Sequence, residues 1–94
     1  MSQEYITGQM RGRVLGGGVF TAKVGGKSGS EMNTHPGEEI IFCLKGKIGL
    51  FTPLQRYVLS SGDTLHFKSD IPHRWENSGK TEAQLIWVYT QRTI

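Results

Sequence analysis

His35 and Glu39 are separated by three residues, two of them Pro36-Gly37, and His73 follows Pro72 much later in the chain. Two imidazoles and a carboxylate can occupy one face of a metal ion and leave its other positions for water, substrate or oxygen. Neutral nitrogen and hard oxygen donors suit one divalent transition metal, Fe(II), Mn(II), Ni(II) or Zn(II), and a set without thiolates is unlike a closed structural zinc site. Positions 33, 35 and 39 share strand parity. With Pro36-Gly37 as a local bend, Asn33, His35 and Glu39 can therefore face one interior, where His73 on a facing strand can join them. The competing reading of the same residues is an exposed turn carrying Glu38 and Glu39.

Such a site needs strands to hold it, and the sequence supplies them. Short apolar stretches recur between turn signals from Val14 onward, and no long window shows a 3.6-residue period. Strands are expected at Arg13 to Val14, Val19 to Val24, Glu39 to Leu44, Lys47 to Thr52, Arg56 to Leu59, Thr64 to Lys68, His73 to Asn77 and Ala83 to Thr90. Gly16-Gly17-Gly18 reads as a flexible turn or bulge; it lacks the residues of a phosphate loop. About eight short strands in one small chain imply an all-β sandwich or barrel. The 13 glycines against 3 prolines agree with many tight turns.

At 94 residues the chain accommodates one domain, residues 1–94, with residues 1–12 as a candidate N-terminal arm ordered by pairing with a neighbour. The single cysteine, Cys43, excludes an intramolecular disulfide and any CxxC site. No apolar run is long enough to cross a bilayer, and the polar start lacks a signal-peptide pattern, so the expectation is a cytoplasmic protein without a membrane partner. The net charge of +3 is spread over scattered Lys and Arg, with no basic stripe, so no nucleic-acid partner is expected. In Glu39 to Leu44 and in Leu85 to Tyr89 both strand faces are apolar, more than so short a chain readily covers alone, and a homodimer is inferred.

Beyond the three ligand candidates, the pattern is wider. Asn33-Thr34-His35-Pro36-Gly37-Glu38-Glu39 is followed after six residues by Gly46; Gly62-Asp63, Pro72-His73 and Asn77 come later. Over Ser30 to Val88 this resembles the two motifs of the cupin superfamily. The resemblance implies a small double-stranded β-helix, a jelly-roll-like barrel, with metal ligands carried over onto His35, Glu39 and His73. Where the family has the first histidine of a His-x-His pair, this chain has Asn33, which becomes a candidate weak fourth ligand or a hydrogen-bond donor behind the ligands. The runs His35 to Ile41 and Asp70 to Asn77 look like the cupin domain that follows helix-turn-helix regulators, and like that of hydroxypropylphosphonate epoxidase.

If His73 points inward, Trp75 and Asn77 share its face, and Cys43 shares that of Glu39, so the expected cavity lining is Trp75, Asn77 and Cys43. Trp75 serves equally as a ligand wall or as core; Asn77 suits a turn-bonding role and Cys43 a small buried hydrophobe. His66, between Leu65 and Phe67, belongs to the opposite, outer face. The function expected first is a metal-containing domain that binds a small molecule in the barrel, similar to effector domains of regulators. An Fe(II) oxygenase using the three ligands, an isomerase or epimerase, for which no base is evident, and a metal-free structural domain are the alternatives.

Overall fold

The computed structural model describes residues 2–5 and 15–90. Eight strands follow in chain order: β1 (Ser2–Tyr5), β2 (Leu15–Ala22), β3 (Glu38–Lys45), β4 (Lys47–Phe51), β5 (Arg56–Ser60), β6 (Thr64–Lys68), β7 (Arg74–Glu76) and β8 (Ala83–Thr90). No helix occurs among the described residues, and so none that is long and apolar enough to cross a membrane. All pairings are antiparallel and fall into two sheets, of order β1-β2-β8-β3-β6 and β5-β4-β7.

Alternation along β3 explains how the sheets meet. Glu39, Ile41 and Cys43 are buried between them, whereas Ile40 and Leu44 are exposed on the outer face. Ile41, Cys43 and Leu85 of the larger sheet meet Ile48, Leu50 and Leu59 of the smaller one, with Phe20, Ala22 and Ala83 completing the core. The fold is thus a two-sheet sandwich, and its closure into the expected barrel is partial: single bridges Lys27↔Glu76 and Asn33↔His73 stitch the segment after β2 onto the free edge of β7.

The glycine run departs from the sequence reading. Gly16, Gly17 and Gly18 are buried inside β2 and pair with Tyr89, Val88 and Trp87. A Cβ on Gly17 would sit 2.4 Å from the Trp87 carbonyl oxygen, and one on Gly16 would sit 2.8 Å from the Tyr89 ring. Glycine there permits close approach to β8; it does not make a turn. Of the expected N-terminal arm, Ser2–Tyr5 pairs with β2 of its own chain. The expected strand Arg13 to Val14 lies outside the described residues.

Candidate metal centre

Three pieces of backbone bring the ligand candidates together. Gly37 takes a φ of 105°, a region open to glycine, and a Cβ there would strike the Thr90 carbonyl oxygen at 2.4 Å. This turn is pinned on both sides: the His35 amide donates to the Ser69 carbonyl at 3.1 Å, and the Ser69 amide donates to the Gly37 carbonyl at 2.9 Å. The chain then enters β3, with the Glu38 amide donating to Thr90 Oγ1 at 2.8 Å, and Glu39 turns inward. His73 is held from the other sheet's edge by paired amide–carbonyl bonds with Asn33, at 2.8 and 3.0 Å.

The outcome is a compact donor set. One nitrogen each from His35 and His73 and one oxygen from Glu39 lie within 4.8 Å of one another. Glu39 Oε2 sits 3.0 Å from His35 Nε2 and 3.2 Å from His73 Nε2. Glu39 and His73 are buried, while His35 is open to solvent at 42% side-chain exposure, which gives the group an accessible side.

Each ligand candidate is oriented from behind. His73 Nδ1 faces the Ile71 carbonyl at 2.8 Å. A carbonyl can only accept, so Nδ1 carries a proton, which leaves Nε2, on the Glu39 side, to take up a second proton or an ion. Trp87 Nε1 donates to Glu39 Oε1 at 2.7 Å. The other oxygen, Oε2, is buried without an aligned hydrogen-bond partner among the described residues, despite the two imidazoles beside it, and so is the neighbouring Ser69 hydroxyl. An orphaned carboxylate oxygen between two imidazole nitrogens is the donor arrangement a divalent ion would satisfy.

The electrostatics point the same way. Burial alone would lift the Glu39 carboxyl, but His73, Ser69 and Trp87 beside it, with the charge His73 can carry, hold it below the usual carboxylate range. His73 is pushed above the ordinary imidazole range, chiefly by its contact with Glu39, against burial, which works the other way; the Ile71 carbonyl adds to the rise. Without an ion, the two groups serve as each other's counter-charge.

The donors sit in the wall of a cavity of about 560 Å3. Asn33 and Trp75 line it too, Asn33 directly across the bridge from His73. Cys43 and Asn77, expected in the lining, are elsewhere. Cys43 is fully buried in the core, its thiol directed at the Lys45 and Gly46 carbonyls. Asn77 is also fully buried and ties together the chain around it: its amide donates to the Ala22 and Thr81 carbonyls and its oxygen accepts from Gly79 N. Parity assigned these two side chains to the right sheet face, but the core occupies one end of that face and the cavity the other. His66 is on the outer surface against Glu38, at 2.9 Å.

Sequence reasoning missed Trp87 as a partner of Glu39. Its signal was available: an inward-facing indole carries an N–H that needs an acceptor, and Glu39 is the inward-facing acidic residue on the neighbouring strand. Tyr89, next to Glu39 in register, and Phe20 complete the aromatic wall.

An antiparallel β-sandwich with a two-histidine, one-carboxylate cluster at one end of its interior defines the class. The model of the cupin domain matches residues 18–89, and the chain belongs to that family. Comparison with curated proteins finds no match. Among solved structures, a conserved Streptococcus pyogenes protein of unknown function is similar over 99% of this chain and 75% of its own, with 19% identity and a TM-score of 0.82. The cupin domain of an XRE-family transcriptional regulator from Enterobacter cloacae is similar over 94% of this chain and 93% of its own, with 14% identity and a TM-score of 0.80. A cupin-superfamily sugar phosphate isomerase from Silicibacter pomeroyi is similar over 86% of this chain and 52% of its own, with 22% identity and a TM-score of 0.72.

Proposed function

We propose that this chain is a metal-binding cupin that holds a small molecule in its cavity against one divalent transition ion. The observation that carries the reading is the buried, orphaned Oε2 of Glu39 facing both imidazole nitrogens at the cavity wall. His35, Glu39 and His73 would hold the ion, and Asn33 stands beside them as a weak fourth donor. Such an ion supplies a Lewis acid with open positions that a ligand's oxygen can occupy. The protein's part is to exclude water from one side of that ligand with Phe20, Trp75 and Trp87, and to keep the donors fixed through Ile71 and Trp87.

Binding without turnover is favoured because, among the described residues, Glu39 is the only carboxylate in the wall and would be taken up as a ligand. The near end-to-end likeness to a regulator's cupin domain supports the same reading. The test is elemental analysis of untagged protein purified without chelator, beside His73→Ala and Glu39→Gln. Near-stoichiometric iron, manganese, nickel or zinc in the parent, lost in both variants, is the expected result. Equal metal in all three proteins, or none after loading with each of the four ions, would refute the site.

A further inference from the structure

We infer that the cavity ligand is a small molecule with a flat apolar ring and an oxygen-donor head that reaches the ion. The inference rests on the metal reading above and follows from what the wall has left to offer. Its body is aromatic: the side chains of Phe20, Trp75, Trp87 and Tyr89 line the space, with Phe20 and Trp87 edge to face at 5.8 Å between centroids.

Several polar groups of the wall are already engaged. Ser28 Oγ accepts from the Trp75 amide at 2.9 Å, Thr90 Oγ1 accepts from the Glu38 amide at 2.8 Å, and Trp87 Nε1 is spent on Glu39. Among the described residues of the lining Arg74 is the one permanently cationic side chain; its Nη1 donates to Glu76 at 3.1 Å, and its guanidinium lies over the Phe51 ring at 4.1 Å. That leaves the Asn33 amide, the Tyr89 hydroxyl, the Thr90 hydroxyl proton and the remaining N–H groups of Arg74 with hydrogen-bonding capacity to spare among the described residues.

A polyol asks more of such a wall than a ring does. Each sugar hydroxyl brings a donor and two acceptor sites, and every one that leaves water without a partner weakens binding. A ring fills the same space with favourable contact and asks nothing of the wall except at its donor end, which faces His35, Glu39 and His73.

The experiment compares two ligands that share one hydroxamate head and differ in the ring, with a sugar phosphate as the counter-case. Acetohydroxamate, benzohydroxamate and glucose 6-phosphate are titrated calorimetrically into the full chain loaded with one equivalent of Zn(II), into metal-free chain, and into Zn(II) alone as a blank. Benzohydroxamate is expected to bind the loaded chain about tenfold or more tightly than either of the others, since the ring gains contact with the aromatic wall. Trp75→Ala, which removes no metal ligand, is expected to keep its zinc and to bring the two hydroxamates within about threefold of each other. Equal affinity of the two hydroxamates for the parent chain, no binding of either, or tighter binding of glucose 6-phosphate would overturn the inference. A benzohydroxamate preference identical in loaded and metal-free chain would uphold the ring selectivity while the metal reading alone fails.

Discussion

Trp87 gives its indole N–H to one oxygen of Glu39 at 2.7 Å, and this bond decides what the other oxygen can do. With Oε1 occupied, Glu39 presents Oε2 alone to His35 and His73, at 3.0 and 3.2 Å. The carboxylate is buried at 2% exposure, so it cannot exchange this arrangement for water. One strand, β8, thereby sets the orientation of a ligand candidate on its neighbour β3.

Trp87→Phe keeps an aromatic ring and removes only that donor. Metal affinity is expected to fall about 10- to 100-fold, the usual cost of losing a partner behind a ligand. Competition with a chromophoric chelator measures it. An unchanged affinity would show that Glu39 needs no orientation from β8.

Asn77 holds the opposite end of the interior. Its side chain makes three hydrogen bonds to backbone groups of three separate residues, Ala22, Thr81 and Gly79. Asn77→Ala removes a fully buried side chain and takes its partner from the Ala22 and Thr81 carbonyls and the Gly79 amide, and a loss of about 2–4 kcal/mol is expected. Denaturant titration reads this, and metal uptake by the surviving folded fraction should be unaffected because the cavity is elsewhere.

What the sequence made legible, and what it hid, follows from how local each signal is. Strand alternation in Thr64–Lys68 and Ala83–Thr90 sufficed to place those elements at the observed bounds. His35, Glu39 and His73 were legible because the turn residues Pro36, Gly37 and Pro72 lie beside them in the chain. Gly16-Gly17-Gly18 misled, since the same residue that permits a turn also permits close packing, and only the position of Trp87 and Tyr89 across the sheet tells the two apart. Cys43 and Asn77 were misplaced for a related reason: parity says which face a side chain leaves from and is silent about which end of the sandwich is filled.

Cys43 is the sole cysteine, and it is fully buried. Burial pushes its thiol above the ordinary range; the Lys45 carbonyl pulls weakly the other way and the charge of Asp63 adds to the rise. The thiolate is the reactive form, so a raised thiol with no access is inert. A thiol reagent such as iodoacetamide at pH 8 is expected to leave the native chain unlabelled over a time in which urea-unfolded chain reacts fully. Rapid native labelling would mean that the core around Ile41 and Leu85 opens readily.

The outer face of the larger sheet carries two apolar rows. Val19, Ile86 and Phe42 lie side by side across β2, β8 and β3, and Val88 and Ile40 lie in the next row beside Gly17. Ile40 is 43% exposed and Leu44 is 39% exposed, although both belong to a strand whose other face is core. We propose that a second copy of the chain covers this face, since matched apolar rows are self-complementary about a twofold axis. Sedimentation equilibrium is expected to give about 21 kDa, twice the 10.5 kDa of one chain. Ile40→Lys should shift the species to the single-chain mass while metal content stays that of the parent, because residue 40 points away from Glu39 and the cavity. A parent chain that sediments at the single-chain mass at micromolar concentration would leave the rows as ordinary surface and remove the dimer.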